Sequence, residues 1–392
     1  MKDNKYQIKL YNKIAKIGTD RLCPECTVFG EEIESPDAIL VRSAKLNDME
    51  FNPELLCIAR AGIGVNNIPI DRCSEAGIVV FNTPGANANA VKELAVCALL
   101  LASRKISDGI AWAKSLAGTE GVAAAVEKGK AAYVGPELAG KSLGVIGLGH
   151  IGAIISNIAY NLGMDVCGVD PYLTVENALV LNRHVHRAAS NKDVYANSDY
   201  ITLHVPLNAE TKHMINAETI AQMKDGVRII NLSRGELVDD DAMAAALESG
   251  KVAAYVTDFP NEKTVEMKNA VCMPHLGAST PESEDNCAIM AADEAQNFLL
   301  TGNILNSVNF PNIDMPLETE SRVVVIHKNI PNMVSTVSSS FAEVGVNIEH
   351  LSNRSKKDCA ITLVDVNAPV TDDVIEKISA CEGIIKVRVI SK

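Results

Sequence analysis

The sequence predicts an α/β protein with more than one domain, built on parallel sheets and followed by a smaller βαββαβ unit. A chain of 392 residues with 47% hydrophobic residues is too long for one ordinary domain and apolar enough for several cores. Short apolar runs without polar alternation, typical of parallel strands buried on both faces, alternate with helical segments. The last part of the chain repeats neither pattern and is therefore expected to be a separate unit.

The first part of the chain predicts buried strands that lead into one long interior helix. Residues 38–41, 55–59 and 78–81 form apolar runs, each followed by turn or polar residues. A helix is predicted over residues 89–105, and it is apolar nearly all round, as an interior helix is.

A second β–α series follows and predicts a doubly wound parallel sheet. Ser279, Thr280 and Pro281 then predict the start of a long helix that ends near Gly302, because hydroxyl caps and a first-turn proline favour helix initiation. The predicted strands of this series are residues 143–146, 166–169, 200–205, 228–232 and 253–257, with a helix at 150–162.

The C-terminal part predicts a linker and a ferredoxin-like unit. Residues 311–320 are rich in proline and acidic residues, which is typical of a linker. The order strand, helix, strand, strand, helix, strand in residues 321–392 is that of a ferredoxin-like fold. Its predicted strands are residues 323–326, 346–353, 360–366 and 384–390, and its helices are residues 332–344 and 371–380.

Composition excludes several classes of partner. The net charge is −13, only 4% of residues are aromatic and there is a single Trp, which argues against binding to nucleic acid. The chain begins without a charged-then-apolar leader, and its longest uncharged apolar stretch, residues 94–103, is about half of the roughly 20 residues that span a membrane. Ten cysteines sit singly or in apolar runs. We therefore expect a cytoplasmic protein without a membrane segment.

The most specific motif is Gly147-Leu148-Gly149-His150-Ile151-Gly152, which directly follows a predicted strand and opens a predicted helix. That context predicts a Rossmann-type dinucleotide site, with a tight turn, a close approach of the backbone to a pyrophosphate and a helix N-terminus that faces phosphate. Asp170 ends the next strand and would bind ribose hydroxyls but repel a 2′-phosphate, which favours NAD over NADP. The alternative is a structural turn and a surface aspartate.

Chemically versatile side chains follow the later strands of the same series. Arg234, Asp258 and His275 each come just after a strand, at the edge where α/β sheets bind ligands, and Glu262 lies between the last two. Oxidation of a secondary alcohol that carries a carboxylate needs a base, a cation and a hydride acceptor. Taken singly, each residue is as well explained by a surface or structural role.

Four motifs in order carry a family resemblance: Gly-x-Gly-His-Ile-Gly, Asn-x-Ser-Arg-Gly, Thr-Asp-Phe-Pro and Pro-His-x-Gly-Ala-Ser-Thr. Through about three quarters of its length the chain resembles the D-isomer-specific 2-hydroxy-acid dehydrogenases. The resemblance implies that Arg234, Glu262 and His275 are catalytic. His275 would exchange the hydroxyl proton, Glu262 would pair with its ring and Arg234 would bind the carboxylate. Glu266 is the alternative to Glu262.

The resemblance also implies the contacts to cofactor and substrate. Arg42 and Arg60 could bind a substrate phosphate, and Arg72 and Lys45 are further candidates. For each of these four residues the alternative is a surface charge without a ligand. The expected NAD contacts are Gly147, Gly149, His150, Ile151, Gly152, Asp170, His204, Pro206, Ser233, Asp258 and Gly277. The expected substrate contacts are Arg42, Arg60, Gly62, Ile63 and Gly64.

The domain layout follows from the same resemblance. A flavodoxin-like substrate domain of residues 1–86 is completed by residues 282–310, and an NAD-binding domain spans residues 87–281. After the linker, residues 321–392 resemble an ACT-type regulatory domain, in which His327, Asn329 and Asn347 would bind L-serine between the subunits of a homodimer or homotetramer. Asn332 stands where a glycine is usual. The alternative is a dimerisation unit without a ligand.

The tail favours the phosphoglycerate-oxidising branch of the family. The implied reaction is NAD-dependent oxidation of 3-phospho-D-glycerate to 3-phosphohydroxypyruvate, the first step of L-serine biosynthesis. The alternatives are a glyoxylate or hydroxypyruvate reductase on the same scaffold and a non-catalytic NAD-sensing protein. Cys23-Pro24-Glu25-Cys26 has no second pair of ligands at suitable spacing, so no metal site is predicted.

Overall fold

The computed structural model describes residues 5–391, which form two compact units. The first unit contains the residues up to Asn87 and those from Glu284 onward, and the second contains Ala88–Ser283. No helix among the described residues is long and apolar enough to cross a bilayer.

The N-terminal part of the first unit is a five-stranded parallel sheet with the order β2-β1-β3-β4-β5. The three predicted strands are confirmed, although β4 begins two residues later than expected. The strands β1 and β2 were not predicted, because β1 alternates Ile8 with polar Gln7 and Lys9. The elements are β1 (Tyr6–Tyr11), α1 (Lys16–Thr19), β2 (Thr27–Gly30), β3 (Ala38–Val41), β4 (Cys57–Arg60), α2 (Ile70–Glu75) and β5 (Val79–Phe81).

The second unit is built on a seven-stranded parallel sheet with the order β12-β11-β10-β9-β6-β7-β8. Apolar clusters cover both of its faces, which confirms the predicted doubly wound, Rossmann-like arrangement. The strand order reverses between β6 and β9, and such a reversal opens a ligand crevice at the carboxyl ends of the strands. The helices are α3 (Ala88–Ser103), α4 (Ile106–Ser115), α5 (Val122–Gly129), α6 (His150–Asn161), α7 (Val175–Val180), α8 (Asn191–Asn197), α9 (Ala217–Ala221) and α10 (Asp240–Ser249). The strands are β6 (Ser142–Ile146), β7 (Asp165–Val169), β8 (His186–Arg187), β9 (Tyr200–Leu203), β10 (Val227–Asn231), β11 (Val252–Thr257) and β12 (Ala270–Cys272).

The C-terminal part begins with a long helix and continues into a four-stranded antiparallel sheet with the order β14-β15-β13-β16. Thr280 caps the helix as predicted, since its Oγ1 accepts a hydrogen bond of 3.1 Å from the backbone N–H of Ser283. The elements are α11 (Pro281–Thr301), β13 (Ser321–Lys328), α12 (Met333–Glu343), β14 (His350–Lys356), β15 (Cys359–Val366), α13 (Asp372–Ser379) and β16 (Ile384–Ser391). The strand expected from residue 346 starts at His350, because Val346 and Ile348 pack into the cluster that contains Phe341.

The two central strands of the antiparallel sheet, β13 and β15, are buried on both faces. Val323 and Val325 of β13 belong to the cluster that contains Phe341 of α12, whereas Val324 and Ile326 belong to the cluster that contains Phe298 of α11. This follows from the alternation of side chains along a strand. The C-terminal sheet therefore shares an apolar core with the N-terminal sheet of the same unit.

A buried ion pair fixes the segment that was predicted as a linker. Arg322 and Asp365 are both fully buried, and Arg322 Nε lies 2.6 Å from Asp365 Oδ1. The Arg322 guanidinium also donates to the carbonyls of Met315 and Pro316, at 2.8 and 2.9 Å. Residues 311–320 contain no helix or strand but are tied to the sheet by these bonds.

Candidate active site

Of the three glycines of the Gly147–Gly152 loop, only the middle one, Gly149, has space beside it for a side chain. A Cβ on Gly147 would lie 2.4 Å from the carbonyl oxygen of His204, and one on Gly152 would lie 1.9 Å from the carbonyl oxygen of Gly147. A Cβ on Gly149 would meet nothing within 4 Å. The first and third glycines are therefore required by packing, and the second borders space that a pyrophosphate can occupy.

The start of α6 provides donors for that space. Gly149 stands at the N-cap position and has no side chain to bond the first N–H groups of the helix, while His150 is exposed. N–H groups of a first helical turn lack an intrahelical partner and attract anions. The loop thus fits the phosphates of a dinucleotide.

Asp170 lies against the same loop. Its Oδ2 accepts a hydrogen bond of 2.8 Å from the backbone N–H of Leu148, and its Oδ1 accepts one of 2.8 Å from Tyr172. Each carboxylate oxygen keeps a second acceptor position. The side chain is thereby held where it can bind ribose hydroxyls.

His204 is neutral in this environment. Burial lowers the pKa of His204 to about 4, and its Nε2 hydrogen-bonds with Thr202 Oγ1 at 2.9 Å. Pro206, two residues further on, is exposed. His204 therefore adds no positive charge beside the glycine loop, where its backbone oxygen lies.

Arg234 is positioned by backbone bonds at the end of β10. The Asn231 side chain donates to the carbonyl oxygen of Arg234 at 2.8 Å, and Arg234 Nη1 donates to the carbonyl oxygen of Ser233 at 2.6 Å. Ser233 in turn donates through Oγ to the carbonyl oxygen of Leu203 at 2.6 Å. These bonds connect the turn after β10 to the end of β9.

Phe259 brings Arg234 and His275 together. The rings of Phe259 and His275 have centroids 4.6 Å apart, tilted by 46°. Arg234 Cζ lies 5.9 Å from the centroid of the same phenylalanine ring. Phe259 was not predicted as a site residue; its place inside the Thr-Asp-Phe-Pro motif was the available signal. A base and a cation thus meet on one half-buried aromatic ring.

Asp258 is buried near Arg234 and His275, and one of its carboxylate oxygens has no hydrogen-bond partner among the described residues. Its side chain is buried, its Oδ2 accepts a hydrogen bond of 3.2 Å from Gly277 N–H, and its Oδ1 has no partner among the described residues. Burial raises the pKa of Asp258, while the Gly277 N–H and the nearby charges of His275 and Arg234 act against that rise. A buried orphan acceptor is costly, and an amide donor of a bound ligand would satisfy it.

Comparison with known proteins gives the family. The family model described as D-isomer specific 2-hydroxyacid dehydrogenase, NAD binding domain, matches residues 96–277. The D-3-phosphoglycerate dehydrogenase of Haemophilus influenzae is 32% identical over 360 residues, which cover 87% of this chain and 83% of that protein. The chain belongs to the D-isomer-specific 2-hydroxyacid dehydrogenases.

Solved structures of this dehydrogenase family share the fold. The NAD+-bound 3-phosphoglycerate dehydrogenase of Entamoeba histolytica superposes with a TM-score of 0.61 at 26% identity, covering 78% of this chain and 99% of that one. A glyoxylate reductase from Paecilomyes thermophila superposes with a TM-score of 0.65 at 26% identity, covering 78% of this chain and 98% of that one. About a fifth of the present chain lies outside each superposition.

The glutamate that a dehydrogenase of this family is expected to pair with its histidine is not paired here. Glu262 and the alternative Glu266 are both exposed. Within residues 5–391 no ion pair or hydrogen bond joins either carboxylate to His275, whose backbone N–H donates to Asp258 O at 3.0 Å. The catalytic role of Glu262 remains a prediction.

The expected substrate loop lies at the ends of β3 and β4. Arg42 forms an ion pair of 2.7 Å with Glu284, and Arg60 Nε donates to the carbonyl oxygen of Arg42 at 3.0 Å. Gly62 has a φ of +149°, and a Cβ there would lie 3.1 Å from Arg60 Nη1, so the turn requires glycine. The carbonyl oxygen of Ile63 accepts a hydrogen bond of 2.7 Å from the Asn82 side chain. An anionic substrate would have to compete with Glu284 for Arg42.

The two further candidates for phosphate binding differ. Arg72 donates to the carbonyl oxygens of Asn47 and Met49 at 2.7 and 2.9 Å and lies over the Phe51 ring, which is a structural role. Lys45 is exposed. Phosphate binding by these side chains remains a prediction, as does binding of the substrate carboxylate by the backbone at Gly64 of the half-buried loop.

The expected serine ligands differ in exposure. His327 is only 2% exposed, and its Nε2 lies within hydrogen-bonding distance of Thr362 Oγ1, at 2.9 Å, and of Asn353 Nδ2, at 3.2 Å. Burial lowers the pKa of His327. Asn329 is exposed and donates to the carbonyl oxygen of Lys357. Asn347 is also exposed and donates to Glu349, so serine binding by this set remains a prediction.

Asn332 keeps the backbone geometry that a glycine usually provides. Its φ is +70°, in the left-handed region, at the N-cap position of α12. Asparagine is one of the few residues other than glycine that adopts this conformation at low cost. Asn332 can therefore form this turn although it stands where a glycine is usual.

Proposed function

We propose that this protein oxidises 3-phospho-D-glycerate to 3-phosphohydroxypyruvate with NAD, the first step of L-serine biosynthesis. The observation that carries the proposal is the meeting of Arg234 and His275 on the ring of Phe259, at the edge of the sheet that also bears the glycine loop. Relatives named D-3-phosphoglycerate dehydrogenase that match over most of the chain support the choice of substrate.

NAD would be held by the glycine loop and Asp170, and it would supply the acceptor for the hydride from C2 of the hydroxy acid. His275 accepts the proton of the C2 hydroxyl and returns it in the reverse direction. Arg234 holds the carboxylate with a bidentate pair and polarises the C2 oxygen. Phe259 keeps the imidazole and the guanidinium oriented, so that neither has to be ordered during the reaction.

Three acidic residues would complete the site, and two of them would contact the cofactor. Asp258 Oδ1 would accept a hydrogen bond from an amide of the nicotinamide group, which removes the cost of its orphaned state. Asp170 would bind the ribose hydroxyls and repel a 2′-phosphate. Glu262 would pair with the second ring nitrogen of His275 and stabilise the imidazolium.

Initial rates in the direction of reduction test this function. Phosphohydroxypyruvate, hydroxypyruvate and glyoxylate are compared as substrates, each with NADH and with NADPH. We expect kcat/KM to be at least about tenfold higher for phosphohydroxypyruvate with NADH than for any other combination, a difference of about 1.4 kcal/mol. His275→Asn is the inactive control.

A glyoxylate or hydroxypyruvate reductase is the second candidate, because a glyoxylate reductase shares the fold at the same identity as the phosphoglycerate dehydrogenase structure. A preference for glyoxylate or hydroxypyruvate would establish it in place of the first. No turnover of any of the three, together with measurable NADH binding, would instead support a non-catalytic NAD-sensing protein.

We further propose that residues 321–392 form an ACT-type, ferredoxin-like regulatory domain in a homodimer or homotetramer. The order strand, helix, strand, strand, helix, strand and the sheet order β14-β15-β13-β16 support this assignment. Serine inhibition is tested by turnover with and without millimolar L-serine, with D-serine as the matched control. Equal rates without serine, with L-serine and with D-serine would contradict serine inhibition. The mass of the protein in solution, measured by light scattering, gives the subunit number.

A further inference from the structure

Cys23 and Cys26 lie in a closed turn between α1 and β2. The carbonyl oxygen of Cys23 accepts hydrogen bonds from Cys26 N–H at 3.1 Å, Thr27 N–H at 2.9 Å and Thr27 Oγ1 at 2.8 Å. Both cysteines are half-buried, and the intervening Pro24 and Glu25 are exposed. The turn therefore holds two thiols together at a place that a small molecule in solution can reach.

The two thiols differ in acidity. Their Sγ atoms lie 2.7 Å apart, closer than two sulfur atoms in ordinary contact. The pKa of Cys23 is lowered, mainly by the interaction with the Cys26 thiol and further by the backbone N–H groups of Glu25 and Cys26. The pKa of Cys26 is raised, first by the interaction with the Cys23 thiol and then by burial. Cys23 is thus the more acidic thiol of the pair, and the thiolate form is the nucleophile in thiol chemistry.

Three other cysteines differ from this pair. Burial raises the pKa of Cys57 and of Cys73 to about 12. Cys97 is exposed on α3 and forms no hydrogen bond to another sulfur within residues 5–391. Cys97 is therefore a matched control for exposure without a partner.

We propose that Cys23 and Cys26 form a redox-active dithiol that is oxidised by low-molecular-weight disulfides and reduced again by thiols. The Cys23 thiolate attacks one sulfur of glutathione disulfide, forming a mixed disulfide and releasing one glutathione thiolate. Cys26, after losing its proton to solvent, attacks Cys23 Sγ and releases the second glutathione thiolate. Two protein thiols are oxidised to one disulfide, and one glutathione disulfide is reduced to two thiols.

The size of the turn makes this couple reversible. A bond between Cys23 and Cys26 closes a loop with two intervening residues, and short loops restrict the unfolded chain less than long ones. The bond therefore adds little to folding stability and serves poorly as a structural link. Zinc is a weaker explanation, because a structural zinc site needs four ligands and no group of three candidate ligands exists within residues 5–391.

The test equilibrates the full-length protein with buffers of varied glutathione to glutathione disulfide ratio, blocks free thiols by alkylation and maps the peptides by mass spectrometry. We expect a Cys23–Cys26 disulfide that forms in oxidising buffer and disappears in reducing buffer. Cys97→Ser is expected to behave as the parent does. A Cys23–Cys26 peptide that stays fully reduced across the series would overturn the proposal.

Two variants separate the roles of the thiols. Cys26→Ser is expected to accumulate glutathione on Cys23 faster than Cys23→Ser accumulates it on Cys26, because the backbone N–H groups that lower the pKa of Cys23 and the burial that raises the pKa of Cys26 both remain. Equal rates in both variants would contradict the assigned roles. Zinc that copurifies with the parent at one equivalent and blocks oxidation would establish a metal site instead. The parent peptide map decides the proposal even where a variant fails to fold.

Discussion

Two substitutions in the glycine loop are expected to have different effects on folding stability and on nucleotide binding. In Gly152→Ala the new Cβ would lie 1.9 Å from the Gly147 carbonyl oxygen, where ordinary contact begins at 3.4 Å. The backbone must shift by about 1.5 Å, and overpacking of this kind costs about 1–3 kcal/mol. For a unit of this size that lowers Tm by roughly 2–12 °C. NADH binding should also be weakened, because the shifted residues form the loop.

Gly149→Ala is the matched variant. Its backbone, with a φ of −64° and a ψ of −169°, suits alanine, and the Cβ would meet nothing within 4 Å. We expect an unchanged or higher Tm, since such a change stabilises by about 0.4–1 kcal/mol. The methyl group occupies the phosphate space, so the Kd for NADH should rise at least about tenfold, or 1.4 kcal/mol.

Calorimetry and fluorescence titration with NADH measure the two quantities. A Gly149→Ala variant that binds NADH within about twofold of the parent would show that this loop does not hold the pyrophosphate. A Gly152→Ala variant as stable as the parent would show that the close approach at Gly147 is not a constraint.

Three further predictions use other features. Phe259→Leu should lower kcat about 2–10-fold without changing the Kd for NADH, because it removes the ring contact to His275, worth about 0.5–1.5 kcal/mol; steady-state kinetics check this, and an unchanged kcat would exclude a positioning role. Asp170→Ala should lower the preference for NADH over NADPH at least about tenfold, measured as the ratio of the two kcat/KM values. Burial raises the pKa of Glu294 to about 8, so the folded chain keeps a proton that the unfolded chain releases near pH 4.5, and the parent loses stability as the pH rises from about 4.5 to about 8. Glu294→Gln should remove this loss, on the order of a few kcal/mol in denaturant titrations at pH 8, and identical pH profiles would contradict the buried acid.

The fold was predictable where strands are buried on both faces. Residues 38–41 and 143–146 are continuous apolar runs, and β3 and β6 lie there. The strand β1 was missed, although it pairs on both sides, because Gln7 and Lys9 alternate with Ile8. Periodicity reports burial, and a half-buried central strand gives a weak signal.

The C-terminal part shows a different limit. Proline and acidic residues in 311–320 predict a linker, and no local signal reveals that Arg322 binds the carbonyls of Met315 and Pro316. The same holds for Val324 and Ile326, which pack with Phe298 across a long sequence separation. Such contacts depend on tertiary structure alone.

The site was predictable only through motifs. Arg234 and His275 were predicted from strand ends and from the order of the family motifs, while the ring that joins them, Phe259, was not. The expected partner Glu262 is exposed and unpaired with His275. Sequence spacing indicates which residues reach an edge of a sheet, but it does not determine which side chains touch.

The most direct test of the proposed mechanism is single-turnover oxidation of NADH by phosphohydroxypyruvate in His275→Asn. If His275 exchanges the substrate proton, the rate should fall at least about 100-fold while the Kd for NADH stays that of the parent. A variant that turns over at the parent's rate would contradict the mechanism.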